Sequence, residues 1–172
     1  MNLQPTNLKN ELVTLEPLTE NHFNELYAIA CDPLIWEQHP NPDRYKLNDF
    51  TNYFKGAIES KGAFIIRDTS TGAALGSTRF CAYNAENKEI QIGYTFFSRA
   101  CWGKSFNKEV KALMLHHAFA FVDKVTFYVG ANNIRSQKAM ERIGGIKVGE
   151  EIVAYFGEPS RMNFRYEINK VS

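Results

Sequence analysis

The sequence of 172 residues predicts one α/β (α+β) domain around a mixed sheet, and three observations carry that prediction. Strand-like runs between residues 63 and 97 are joined by turn-sized gaps, which suit only antiparallel pairing. A long apolar-faced helical stretch, residues 107–122, separates the run 89–97 from the run 125–129, and a helical crossover returns the chain in the same direction. Two further strand-like runs around Gly157-Glu158-Pro159 end the sequence as a hairpin. The count comes to about seven strands and about four helices.

Leu12, Val13, Leu15 and Leu18 read as a first strand ending near Pro17. Thr19 can cap a helix whose inner face is Phe23, Leu26, Tyr27 and Ala30. Residues 31–43 hold Pro33, Pro40 and Pro42, so that stretch is a loop or broken short turns. A second helix starts at Asn48 or Asp49, buries Phe50, Tyr53, Phe54, Ala57 and Ile58, and stops at Gly62. Strands follow at 63–67, 74–83 and 89–97 as an antiparallel meander. In the third helix, Val110, Leu113, Met114, His117, Ala118 and Phe121 share a face that Leu115, Phe119 and Val122 widen. Residues 125–129 form a β-branched and aromatic strand, and 133–143 a fourth helix stopped by Gly144-Gly145. The last strands are 146–156 and 161–168.

Composition narrows the function classes. Twenty basic and nineteen acidic residues leave a net charge of +1, with no general attraction to nucleic acid or an acidic membrane. No basic stripe interleaved with aromatics suggests a nucleic-acid surface. Cys31, Cys81 and Cys101 are far apart and odd in number, which argues for buried thiols in a reducing compartment rather than disulfides or a metal site. Residues 1–10 lack a signal-peptide core, and the apolar stretch 112–122 is too short to span a bilayer. A cytoplasmic protein without membrane contact is expected.

The loop between the strand 89–97 and the third helix reads Ser98-Arg99-Ala100-Cys101-Trp102-Gly103-Lys104-Ser105-Phe106. A strand end leading into a helix N-terminus offers unpaired amides at the positive end of the helix dipole, a seat for a pyrophosphate. Gly103 permits close backbone approach, and Lys104 and Lys108 add charge. A plain strand–helix turn is the structural alternative.

Four stretches, taken in order, carry a family resemblance: residues 12–18 (LVTLEPL), 92–94 (IGY), 102–109 (WGKSFNKE), and Asn133-Ile134-Arg135-Ser136 with residues 138–145 (KAMERIGG). The chain resembles the GNAT superfamily of N-acetyltransferases, and within it the branch of ribosomal-protein N-terminal acetyltransferases. That resemblance implies acetyl-CoA as co-substrate, no metal, and a cleft where two parallel strands, 89–97 and 125–129, splay apart. It implies that the backbone of Phe96, Phe97 and Ser98 pairs with the pantetheine arm. Amides from Gly103 through Lys104, Ser105, Phe106 and Asn107 to Lys108, beside Trp102, would take the pyrophosphate. Asn133 would reach the pantetheine from the other wall. Where the family's phosphate loop ends in Gly-x-Gly or Gly-x-Ala, this chain has Ser105-Phe106-Asn107.

The implied reaction is direct attack of an amine on the thioester, with no covalent enzyme intermediate. Many relatives protonate the departing thiolate with a tyrosine; the matching residue is Met140, so Ser136, one turn earlier, is the hydroxyl that could donate or hold a water. A helix-start residue bonded to backbone is the other role for Ser136. Relatives in this branch often carry a glutamate where this chain has Gln91. Glu89, on the same strand face, becomes the expected base, directly or through water, and Gln91 a group that positions the amine. Trp36 and His39 in the proline-rich loop and Tyr155 near the terminal hairpin are expected to line the acceptor pocket. His116 and His117 read as core histidines. The acceptor is open between a protein or peptide N-terminus and a small amine such as an amino acid, polyamine or aminoglycoside. A homodimer is compatible with the family, and an acyl-CoA-binding or sensing module that lacks turnover is the rival reading.

Overall fold

The computed structural model describes residues 1–171. Seven strands and four α-helices follow one another as β1 (Val13–Pro17), α1 (Phe23–Ala30), α2 (Leu47–Ser60), β2 (Ala63–Asp68), β3 (Ala74–Asn84), β4 (Glu89–Phe97), α3 (Phe106–Ala118), β5 (Lys124–Gly130), α4 (Ile134–Arg142), β6 (Ile146–Val153) and β7 (Arg161–Asn169). The sheet order is β1-β2-β3-β4-β5-β7-β6. All neighbours are antiparallel except β4 and β5, which the α3 crossover makes parallel.

The predicted mixed sheet is present, with its elements in the expected order. Their ends differ where local chemistry wins over periodicity. The third helix stops at Ala118, four residues before the end predicted from its apolar face, and the amides of Phe119 to Val122 close it in tight turns. The strand predicted over 146–156 ends at Val153, and the freed segment folds back so that Phe156 packs on Gly56 of α2. The proline-rich stretch contains two 3-10 turns, Pro33–Ile35 and Pro42–Tyr45.

Two cores fill the two faces of the sheet. On one, Phe64, Phe80, Ile90, Ile92 and Val125 pack under Val110, Met114 and Ala118 of α3. On the other, Leu26, Trp36, Phe50, Tyr53, Phe54 and Phe96 form an aromatic-rich layer beneath α1 and α2. Cys101 is buried, but Cys31 is exposed, because it caps the solvent end of α1 rather than packing inward. His117 meets the core edge, its ring tilted against Phe80 and Nε2 lying 2.9 Å from the Asn2 carbonyl, whereas His116 is exposed.

Candidate functional site

The sheet comes apart at its centre. Strands β4 and β5 pair only over Glu89–Lys124, Ile90–Val125 and Gln91–Thr126. From there β5 stays with β7 over its whole length, while β4 stays with β3. The parting coincides with a bulge: the β3–β4 register slips between Ser77 and Arg79, and Tyr94 takes a φ of +54°. A tyrosine in the left-handed region is strained and persists only when its surroundings hold it there. Tyr53 Oη donates to the Tyr94 carbonyl at 2.7 Å, and the Arg79 guanidinium lies 3.8 Å from the centre of the Tyr94 ring.

A cavity of about 300 Å³ fills this split. One end lies against the β4–α3 loop, where Gly103 turns the chain with a φ of +75°. The first α3 amide with a backbone acceptor is that of Glu109, which donates to the Ser105 carbonyl at 3.0 Å. Among the described residues the amides of Gly103, Ser105, Phe106, Asn107 and Lys108 have no protein acceptor. Unpaired amides at the positive end of a 13-residue helix form an anion cradle. The cations lining the whole cavity are Lys104, Lys108, Lys111, Arg142, Arg135 and Arg44, and no carboxylate lines it.

At the opposite end, Trp36, His39, Tyr94, Tyr128 and Tyr155 form the wall. Arg44 stands behind them, its guanidinium carbon 5.0–5.8 Å from the rings of Trp36, Tyr53, Tyr94 and Tyr155. It is locked to Glu158 by Nε–Oε1 and Nη2–Oε2 bonds of 2.7 and 2.9 Å. His39 Nδ1 accepts from the Asn41 amide at 2.9 Å, and Arg44 Nη1 lies 3.3 Å from its Nε2. Burial first, then the Arg44 charge, push the His39 pKa well below its ordinary value, so the imidazole is neutral. Tyr155 Oη donates to Asn163 Oδ1 at 2.8 Å, and burial raises its pKa. Tyr128 Oη donates to Glu151 Oε2 at 3.0 Å; burial, then that hydrogen bond, raise its pKa.

The structure gathers most of the residues expected from sequence. Trp36, His39, Tyr155, Phe96, Phe97, Trp102, Gly103, Lys104, Asn107, Lys108, Asn133 and Ser136 all line the cavity. Asn133 is partly committed: its Oδ1 caps α4 by accepting from the Ser136 amide at 3.2 Å, leaving its amide nitrogen for the cavity. Ser136 Oγ has no protein partner among the described residues, and Met140 sits one turn further along the same wall.

Three expectations need correcting. Glu89 does not line the cavity; it lies at the paired start of β4, in ion pairs with Lys124 at 3.1 Å and Arg165 at 3.9 Å. Gln91 is also outside, at the last paired position, its side chain beside Gly93. Ser98 cannot pair with a ligand as an added strand, because its amide donates to Leu75 and its carbonyl accepts from Cys101. Ser105 and Phe106 place no side chain in the cavity wall, and their free amides at its rim are the groups the resemblance assigns to the pyrophosphate. Sequence reasoning passed over Arg44, Tyr128 and Lys111. Only Lys111 left a local signal, a lysine between Val110 and Met114 on a buried helical face.

A mixed sheet split between two parallel strands, with an amide cradle at the following helix, is the architecture of an acyl-CoA-dependent transferase fold. The family model described as the acetyltransferase (GNAT) domain matches residues 13–146, and the chain belongs to that family. No individually curated protein matches it. Among solved structures, a probable GNAT-family acetyltransferase from Chromobacterium violaceum is 21% identical with a TM-score of 0.82, over 96% of this chain and 87% of that one. The microcin C7 self-immunity acetyltransferase MccE, in complex with acetyl-CoA and AMP, is 14% identical with a TM-score of 0.76, covering 98% and 99% of the two chains. Mycobacterium smegmatis RimJ, in complex with CoA-disulfide, is 16% identical with a TM-score of 0.70, covering 91% and 81%. At these identities the likeness is one of fold.

Proposed function

We propose that this protein is an N-acetyltransferase that takes acetyl-CoA and acetylates a primary amine by direct attack. The observation that carries the reading is the cavity in the β4–β5 split, with free amides at one end and an aromatic wall at the other. The complexes of MccE with acetyl-CoA and of RimJ with CoA-disulfide, on the same fold, support it. The residues present fit such a ligand: free amides and Lys104, Lys108 and Arg142 suit a diphosphate, and the unpaired β4 edge beyond Gln91 suits an amide-bearing arm. Acetyl-CoA, when bound, supplies an activated acyl group on a thiol leaving group.

The chain's own residues then have two proton tasks. The free hydroxyl of Ser136 faces the cavity and can donate to the departing sulfur, a hydrogen bond worth about 1–3 kcal/mol. Tyr128 replaces Glu89 as the group that meets the amine's proton, and it works as a relay. Its oxygen takes the amine proton as its own hydroxyl proton passes to Glu151 Oε2, so the phenol stays neutral and the Glu151 carboxylate is the base. The narrower reading, a peptide N-terminus as in the ribosomal-protein branch, rests on the ordered sequence motifs and on the RimJ-like fold. The specific observation favouring a non-catalytic acyl-CoA module is Met140, a thioether where many relatives place the proton donor.

Calorimetric titration with acetyl-CoA, then thiol release over a panel of peptides, amino acids and polyamines, separates these readings. Binding with release supports the enzyme, binding alone supports the module, and an absence of binding overturns both readings. With an accepted amine, Tyr128→Phe and Glu151→Gln should each lower kcat by roughly 10²-fold or more at neutral pH, as loss of a general base does. Glu151 acts through Tyr128, so its variant should also change the pH profile, and the double variant should cost little more than either single.

A further inference from the structure

Lys111 is a buried amine of the cavity whose chemistry the proposed reaction leaves unused. It lies in the second turn of α3, 5% exposed, and lines the cavity. Its Nζ donates to Thr95 Oγ1 at 2.6 Å and to Thr78 Oγ1 at 3.3 Å. Two hydroxyls accept two of the three N–H bonds of an ammonium, and no carboxylate faces the third. The other charged groups around the cavity are cations: Lys104 and Lys108 from α3 and its loop, Arg135 and Arg142 from α4, and Arg44, which is paired with Glu158. Thr95 follows Tyr94 in the bulge from which β5 has parted, so Nζ sits one side chain beneath the open split.

We propose that Lys111 is itself an acyl acceptor, modified from inside the cavity by the thioester bound there, in the absence of an amine substrate. This proposal rests on the acetyl-CoA reading. The Nζ lone pair forms the new C–N bond to the carbonyl carbon as the C–S bond breaks. The sulfur leaves with the electron pair and takes up the proton lost by nitrogen, so acetyl-CoA and lysine give acetyl-lysine and the free thiol. The environment favours a neutral amine: burial alone draws its pKa from the ordinary lysine value down to about 7. Once acylated, the side chain is longer, uncharged and directed into the cavity, and it obstructs the next acetyl-CoA.

The whole protein, incubated with acetyl-CoA and no acceptor, should gain one acetyl group, mapped to Lys111 by peptide mass spectrometry. Its rate should rise only about tenfold between pH 6 and pH 8 and then level off, as for an amine with a pKa of about 7. An ordinary exposed lysine would rise about a hundredfold over the same span and continue upward. Lys111→Arg should abolish the label while retaining the charge; if that variant fails to fold, the mapping and the pH profile of the unaltered protein still decide. Calorimetric binding of acetyl-CoA with Lys111 unlabelled, label spread over exposed lysines, or a hundredfold rise overturns this proposal alone. Absence of both binding and label overturns the acetyl-CoA reading with it.

Discussion

Replacing Glu158 by glutamine tests what holds the aromatic end of the cavity. Arg44 and Glu158 come from segments 114 residues apart, and their side chains are 2% and 8% exposed. The amide keeps one acceptor but removes the negative charge and presents an NH2 to a guanidinium N–H. Breaking a buried ion pair from one side costs about 3–5 kcal/mol, because the remaining charge stays buried. The four aromatic rings face the guanidinium before and after the substitution and cancel in the difference. Because the amide oxygen keeps one of the two hydrogen bonds, a loss near the low end of that range, about 3 kcal/mol, is expected, read as a lower urea midpoint with an unchanged slope. Tyr155, three residues from Glu158, should lose its fixed place, so the KM for an amine should rise while acetyl-CoA affinity, set at the far end, holds. Arg44→Met combined with Glu158→Met should be more stable than Glu158→Gln, since no buried charge is left alone. A loss below about 1 kcal/mol, the range of exposed pairs, would refute the claim that this pair is desolvated.

Other expectations address the cradle, the buried lysine and the loop over the cavity. Ser105 has a φ of −77°, which a proline ring tolerates, so Ser105→Pro removes an amide donor with the backbone kept; acetyl-CoA affinity should fall about ten- to a hundredfold, against a few-fold for Lys104→Ala. Similar small losses in both variants would refute an amide cradle. Lys111→Met should stabilise the protein by about 2–4 kcal/mol below pH 7. The folded-state pKa of about 7 lies below the ordinary 10.5, so the penalty of burying the ammonium is full below pH 7 and fades as pH rises to 10.5. Chemical denaturation at pH 6 and pH 10 should show that gap closing, and a constant gap would refute it. Gly130→Ala puts a methyl against the Pro40 ring, so the 36–42 loop must shift; an overpacking cost of about 1–3 kcal/mol and a raised KM for the amine are expected from denaturation and steady-state kinetics.

The fold was legible because periodicity and connection length are local. The β2–β3–β4 meander follows from turn-sized gaps, and the parallel β4–β5 pair from the α3 crossover. The phosphate end was legible for the same reason, since a strand, a loop and a helix start lie within eleven residues, Phe97 to Asn107. The other end was not, because its parts meet only in three dimensions. Nothing near Arg44 announces Glu158, and nothing near Tyr128 announces Glu151. The Glu89 expectation failed for a related reason: alternation assigns a side chain to a face of the sheet but says nothing of how far along the strand the split begins.

That split and the aromatic wall are one construction. A tyrosine at φ +54° costs on the order of 1–3 kcal/mol, and it is retained because groups on several sides fix it. Tyr53 from α2 holds its carbonyl, Arg79 from β3 covers one face of its ring, and Tyr155 from the β6–β7 loop meets it at 5.3 Å in a T-shaped contact. Arg44, paired with Glu158, stands behind the same rings. The side chains that bound the far end of the cavity therefore also hold the bulge that keeps β4 away from β5. Loosening that cluster should weaken acceptor binding and the opening of the sheet together, whereas the α3 cradle, built from backbone amides, stands apart from it.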